Sequence, residues 1–388
     1  MQGEIRFAVL VAGLASLATL ILASSAIAAY PIGADGRIAM STVDASGFAD
    51  VALLAADGGS VNLTNTSPPV AENNPAFSPN GRQIGYFRFD GSQSDIWLID
   101  PDGSGAHPLT TTPAPVSEAE PAFSPDGRQI AFSRLDGAQR DIWVMNVDGS
   151  APHPVTTTPA PLDETAPDFS PDGRRIAFSR DDGGQQDMWV MNADGSGQQN
   201  LTSTAAPVME SDPSFSPDGA RIAFTRFVNA GQSDVFLTNA DGSAQRNLTN
   251  TPPPAGETDP AFSATGARLA FGRTTDVWLI NADGSGLSQQ TFTAFPFREL
   301  DPSWESVYSC GGRRATIVGS DSGEKLKGTK RADVIVANGG KDMIKGLGGG
   351  DRLCGGAGKD RLLGGKGKDR CVGGSGRDRG SDCEKGKL

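Results

Sequence analysis

Apolar and polar positions along this chain fall into two short patterns that keep returning. The first alternates, as in RQIAFSR at residues 128–134; the second is a β-branched and aromatic run, as in DIWVMN at residues 141–146. Both are too short for helices and are bounded by Gly, Pro and Asp, so both read as strands. A shorter apolar piece, PAFS, precedes the alternating run. The Ser-Pro-Asp-Gly between them is turn chemistry, because Pro presets φ and Gly accepts a positive one. Past the second run, Asp-Gly-Ser makes another turn into a stretch such as Pro154-Val155-Thr156. Each unit therefore predicts four short antiparallel strands, and no helical period separates the units.

The units recur with anchors at Phe77, Phe123, Phe169, Phe215 and Phe262, spaced 46 or 47 residues apart. A period in the forties is the mark of radial blades. The two ends settle how many. Gly36 to Thr64 holds the second, third and fourth strands with no first, whereas Asp301-Pro302-Ser303-Trp304 supplies only a first strand. The fragments complement each other. The expected fold is all-β: a six-bladed propeller over residues 30–308, in which the C-terminal strand completes the N-terminal blade and leaves no open sheet edge.

P-x-[FW]-S-P-D-G-x-x-I-A-F followed by D-[IV]-W-[VL]-M-N-x-D-G resembles the TolB-type propeller repeat. The resemblance covers five full units and the split sixth. It implies a six-bladed propeller of a kind also found in some peptidases and lyases. TolB itself carries an α/β domain ahead of its propeller, whereas here the repeats begin almost at the N-terminal apolar segment.

That segment, residues 7–22, follows a single Arg6 and is followed by SSAIAA, with small residues at Ala26 and Ala28. It reads as a signal peptide over residues 1–29, with an uncleaved anchor as the alternative. Either way the rest is expected to be exported, extracellular or in the cell envelope or periplasm. All four cysteines, Cys310, Cys354, Cys371 and Cys383, lie near the C-terminus. Outside the cytoplasm they are expected to form two disulfides, for which three connectivities exist. A bridge from Cys371 to Cys383 would clamp the end of the C-terminal module.

Charge changes the picture of what binds where. The chain carries 34 Lys and Arg against 46 Asp and Glu, net −12. From Ser309 onward there are 18 basic and 10 acidic residues, or +8; the remainder is 16 against 36, or −20. An acidic body of that size argues against nucleic acid as a partner. Within it, a glutamate stands five residues before each anchor: Glu72, Glu118, Glu164, Glu210, Glu257 and Glu299. Repetition places all six on one face, and a carboxylate ring at the channel mouth is the sharp expectation, able to hold a cation or a basic peptide. The competing reading uses Arg88, Arg134, Arg180, Arg226 and Arg273, with Asp95, Asp141, Asp187, Asp234 and Asp276 across their hairpins, as repeated ion pairs that need no ligand. Blade one has Thr42 at the arginine position, which singles out Glu72 and Glu299 as the acids most available to a ligand. Only two histidines are present, His107 and His153, so a three-histidine zinc site is excluded. No serine has glycines two before and two after it, which removes the nucleophile elbow. Trp97, Trp143, Trp189 and Trp278 occupy one blade position and read as packing residues.

Residues 309–388 have a different period. Aspartates fall at Asp333, Asp342, Asp351, Asp360, Asp369 and Asp378, nine apart, with an apolar residue or cysteine two places after the first five of them. GGAGKDRLL and GGKGKDRCV resemble the hemolysin-type (RTX-like) nonapeptide G-G-x-G-x-D-x-U-x, which implies a parallel β-roll that binds Ca²⁺ in its turns. In such a roll Asp333, Asp351 and Asp369 line one edge and Asp342, Asp360 and Asp378 the other. Lys341, Lys359, Lys368 and Arg377 stand directly before the acids, so affinity is expected to be weak, roughly high micromolar to millimolar. The alternative staple is the disulfides, with the basic rows free to attract an anionic cell-wall polymer. The expected function is an exported, non-catalytic, monomeric binding protein whose propeller recognises an extracytoplasmic protein or glycan. A propeller hydrolase or lyase using the channel-mouth glutamates is the alternative.

Overall fold

A computed structural model describes residues 36–54, 59–159, 161–229, 232–253, 256–292, 298–305, 308–310, 313–319 and 323–387. The expected signal segment lies outside them. Every regular element among the described residues is a strand, and four-stranded antiparallel sheets form six blades. Blade 1 contains Ile38–Val43, Ala49–Leu54 and Ser60–Asn62, and its innermost strand is Arg298–Trp304 from the far end of the propeller. That strand pairs antiparallel with Ile38–Val43, from Ile38 opposite Trp304 to Val43 opposite Arg298. The ring is closed by hydrogen bonds as the end fragments predict. Blades 2 to 6 begin with the inner strands Ala71–Phe77, Ser117–Phe123, Asp163–Phe169, Met209–Phe215 and Glu257–Phe262.

The core is a set of wedges between adjacent blades. Ala177, Met188 and Val190 of blade 4 pack against Phe215, Ile222 and Phe224 of blade 5. Ala270, Val277 and Leu279 of blade 6 meet Ile38, Met40 and Trp304 of blade 1 across the seam. The anchor aromatics are therefore inter-blade residues, and because each sheet buries both faces against neighbours its middle strands are buried almost continuously, as from residue 176 to 180 of Arg175–Asp181.

One irregularity decides what reaches the axis. Every inner strand shifts register against its neighbour, as between Asn73 and Ala76 or between Thr165 and Asp168. At each shift the residue before the proline takes a left-handed conformation: Asn74, Glu120, Ala166, Asp212, Asp259 and Asp301, with φ between 49° and 56°. Asn and Asp tolerate that conformation better than other side chains, and they hold four of the six places. A bulge reverses the inside-outside alternation on one side of itself. Residues two places before the bulge are turned away from the axis as a result.

The C-terminal segment coils into two parallel sheets. One contains Val334–Val336, Arg352–Gly358 and Arg370–Gly376; the other contains Lys325–Lys327, Met343–Gly348, Arg361–Lys366 and Arg379–Ser381. Ile335 pairs with Leu353 and Leu353 with Cys371, an advance of eighteen residues per turn. Leu326, Ile335, Ile344, Leu353, Leu362 and Cys371 fill the interior, none more than 5% exposed. The bridges are Cys310–Cys354 and Cys371–Cys383. Cys310 packs on Val318, Val334 and Val336, and its bridge ties the short strand Ser309–Cys310 to Arg352–Gly358 of the roll.

Candidate functional site

The six glutamates do not line the channel. Glu72, Glu118, Glu164, Glu210, Glu257 and Glu299 are buried, 0–7% exposed. The bulge between them and the anchor turns their side chains into the blades, which corrects the expectation of a channel-mouth ring. Five pair with the arginine facing them in register on the second strand: Glu72 with Arg88 at 3.5 Å, Glu118 with Arg134 at 3.5 Å, Glu164 with Arg180 at 2.9 Å, Glu210 with Arg226 at 2.6 Å and Glu257 with Arg273 at 3.5 Å. Glu72 is thus engaged within its own blade, contrary to its being singled out for a ligand.

Threonine hydroxyls reach three of these carboxylates across the blade boundary. Thr66, in the loop leaving blade 1, donates to Glu72 at 2.7 Å; Thr158 donates to Glu164 at 2.6 Å and Thr251 to Glu257 at 2.8 Å. The arginines also lie over the third-strand aromatics, 4.2–4.6 Å from the ring centres of Trp97, Trp143, Trp189, Phe236 and Trp278. The aspartates expected to face the arginines have another task. Asp95, Asp187 and Asp234 accept the backbone N–H of Thr112, Thr204 and Thr251 at 2.9–3.1 Å and fix the same loops. Burial holds the carboxyls of Glu118, Glu164, Glu210 and Glu257 above the usual range, and pushes Glu72 up to about 7.

What does line the axis is the bulge residue. Asn74, Glu120, Ala166, Asp212, Asp259 and Asp301, each followed by proline, surround a cavity of about 140 Å³. Burial, before any neighbouring charge, raises all three aspartates: Asp212 to about 6, Asp259 well above the carboxylate range, and Asp301 upward. The charges of Asp212 and Asp301 add to the rise at Asp259. Protein surrounds these groups on the axis, while the channel still admits water to them. Ser41 donates to Asp301 at 2.8 Å, and Glu120 accepts from Ser133 at 2.8 Å and from the Ala166 N–H at 2.7 Å. The sequence does contain the signal that marks this ring, an Asp-Pro pair in three of the units. A larger hollow, about 550 Å³, lies among turn residues of blades 4 and 5, including Arg175, Asn192, Asn239 and Asp241; it brings together no acid-base pair.

In the roll, the repeat aspartates turn inward. Asp333, Asp342, Asp351, Asp360 and Asp369 are 1–7% exposed, while Lys341, Lys359, Lys368 and Arg377 are exposed. The basic residues before the acids therefore turn their side chains outward, away from the carboxylates. One oxygen of each carboxylate accepts a backbone N–H one coil earlier: Asp351 from Asp333 at 2.8 Å, Asp369 from Asp351 at 2.8 Å, Asp360 from Asp342 at 2.9 Å and Asp378 from Asp360 at 2.9 Å. This places Asp333, Asp351 and Asp369 along one edge and Asp342, Asp360 and Asp378 along the other. The second oxygens, Oδ2 of Asp351, Asp360 and Asp369, are buried with no hydrogen-bond partner. Burial raises the pKa of Asp351 and Asp360. Each orphan faces a glycine: a Cβ on Gly355 would come within 2.5 Å of Asp360 Oδ2 and 2.6 Å of the Gly373 carbonyl oxygen. Carboxylate and carbonyl oxygens converging where no side chain fits are hard-donor chemistry of the kind Ca²⁺ takes. Among the described residues no three His, Cys, Asp or Glu side chains gather, so carbonyls would have to supply the remaining ligands.

Comparison with known proteins agrees with both architectures. The family model described as the TolB beta propeller domain matches residues 35–207, and the RTX calcium-binding nonapeptide repeat matches residues 318–353 and 346–379. A search of curated proteins finds no match. Among solved structures, TolB from Acinetobacter baumannii is similar at 19% identity and TM-score 0.59, over 70% of this chain and 67% of that one. A putative TolB from Agrobacterium tumefaciens is 17% identical with TM-score 0.50, over 69% and 98%. The nidogen/laminin complex contains a chain 11% identical with TM-score 0.55, over 69% and 97%. At these identities the likeness is one of fold. The chain carries a TolB-type β-propeller followed by hemolysin-type nonapeptide repeats.

Proposed function

We propose that this is an exported, non-catalytic binding protein, in which a rigid propeller presents a recognition surface and the C-terminal roll loads calcium. The observation that carries the reading is the set of buried, unpartnered Oδ2 atoms of Asp351, Asp360 and Asp369 beside glycine carbonyls. An unpaired buried carboxylate oxygen is costly, and a dication coordinated there removes the cost. Asp351 and Asp369 would serve one edge and Asp360 the other, and the metal would rigidify the turns without chemistry of its own. Two disulfides fit an oxidising compartment outside the cytoplasm. In the propeller, the glutamates are tied to arginines, so recognition of a protein or glycan is assigned to the channel mouth and its bulge residues.

Isothermal calorimetry on the full chain tests this reading, with Ca²⁺ titrated against a Mg²⁺ control. Saturable Ca²⁺ binding in the range of about 10⁻⁴–10⁻³ M is expected, reduced at least tenfold in Asp351→Asn/Asp369→Asn. Heat indistinguishable from Mg²⁺, or from that variant, would sink it.

A further inference from the structure

The nonapeptide module sorts its charges by depth. Five of its six repeat aspartates are buried, and most of its described lysines and arginines are exposed. A segment with acids and bases in mixed order along the sequence is therefore cationic on its exterior. Sheet register then concentrates the effect on one face. In the four-stranded sheet, Lys325, Met343, Arg361 and Arg379 form one column, and Lys327 and Lys345 begin a second that continues with Leu363 and Ser381. The five basic side chains are all exposed. Adjacent strands lie about 4.8 Å apart, so this face holds five cations across four strands without one carboxylate among them.

Like charges side by side destabilise a sheet. Lys327 beside Lys345 and Arg361 beside Arg379 are two such pairs, and none of the four forms an ion pair among the described residues. The arrangement opposes folding and favours an external anion. Two further facts narrow what that anion is. No Phe, Tyr or Trp occurs from residue 309 to 388, so neither a base nor a sugar ring has a stacking platform and charge must do the recognising. Residues before 309 carry 16 basic against 36 acidic side chains. A field of that sign repels a thick polyanion such as a duplex more than a thin chain lying along the ladder.

We infer that this face of the roll binds a linear acidic polysaccharide, its successive carboxylates engaging Lys327, Lys345, Arg361 and Arg379. The site lies on the sheet face and is distinct from the turns proposed to hold calcium, which run along the edges of the roll.

The test uses the full, disulfide-intact chain and a fluorescein-labelled oligogalacturonate, followed by polarisation in EDTA. Calcium is absent, so the outcome is independent of whether the turns bind metal. Saturable binding at 50 mM NaCl is expected, weakening on the order of 10- to 100-fold at 200 mM as ion contacts are screened. Arg361→Gln/Arg379→Gln should lose at least tenfold, and Lys327→Gln/Lys345→Gln should lose a similar factor, with unchanged circular dichroism. The second variant keeps the test decisive if the first misfolds. Arg128→Gln, exposed on the propeller, should change nothing. No binding at 50 mM NaCl, wild-type affinity in both double variants, or tighter binding of duplex DNA or polyphosphate than of the oligogalacturonate would each overturn the assignment.

Discussion

Replacing Glu164 by alanine separates a structural carboxylate from a binding one. Glu164 is fully buried and accepts from Arg180 Nε at 2.9 Å and from Thr158 at 2.6 Å. The Arg180 side chain is only 8% exposed, stacked 4.2 Å from the Trp189 ring and hydrogen-bonded to Gln198 at 2.6 Å. It cannot follow a lost partner into water without leaving those contacts. Removing one member of a buried pair costs about 3–5 kcal/mol, because the other stays charged and unpaired. At roughly 2–4 °C per kcal/mol for a domain of this size, thermal unfolding should fall by about 10 °C. Glu164→Ala/Arg180→Ala should recover part of the loss, by roughly 0.5–3 kcal/mol. The surface pair Arg128–Asp126, with side chains 67% and 26% exposed at 3.8 Å, is the internal reference; its loss should cost about 0–1 kcal/mol. Calorimetric unfolding of the variants gives the comparison. A Glu164→Ala cost no larger than that of the reference would refute the ion-pair account, and a stable variant that lost a ligand would return the glutamates to the function.

Asp168 gives a pH signature. Burial pushes its carboxyl from 3.8 up to about 7, so between those values the folded state holds more protons than the unfolded one, and stability falls as pH rises through that window. Asp168→Asn retains an oxygen for the Phe215 N–H, bonded at 2.7 Å in the wild type, and should melt higher than wild type at pH 8 with the difference vanishing near pH 4. In the roll, Gly355→Ala places a methyl group on Asp360 Oδ2 and the Gly373 carbonyl; calorimetry should show calcium affinity reduced at least tenfold, and an unchanged titration would remove that turn from the site. Cys371→Ala/Cys383→Ala opens a loop of sequence separation 12 and should lower roll stability by about 2–4 kcal/mol, read as faster amide exchange over residues 352–376 with the propeller unaffected.

The ring and its closure were legible because they depend on spacing. Anchors 46 or 47 residues apart and two complementary end fragments determine a strand count whatever the side chains do. The apolar interior of the roll was legible for the same reason: Ile335, Ile344, Leu353 and Leu362 recur at a period that a coil must respect. Depth was not legible. Counting back from Phe77 in strict alternation misplaces Glu72, because the left-handed residue Asn74 interrupts the pleat. Nothing in the spacing of Glu72, Glu118 and their equivalents distinguishes a residue on the axis from one inside a blade. The Asp-Pro pairs carried the missing information, since a residue before proline is held out of the right-handed helical region and Asp accepts the left-handed one.

Three of the repeated sets of acids in this chain differ in what they face, and that assigns them different work. Five of the blade glutamates face arginine at 2.6–3.5 Å, a counter-charge supplied by the chain itself. The axial acids face one another, and burial together with their mutual repulsion favours their protonated forms. Asp351, Asp360 and Asp369 of the roll each face a backbone amide on one oxygen and have no hydrogen-bond partner on the other. The axial and roll sets therefore respond to solution conditions in opposite ways: a proton relieves the axial acids, whereas it would compete with a metal in the turns. Lowering the pH toward 5 should weaken calcium binding in the roll. A calcium affinity that rose on acidification would mean that the ion sits elsewhere.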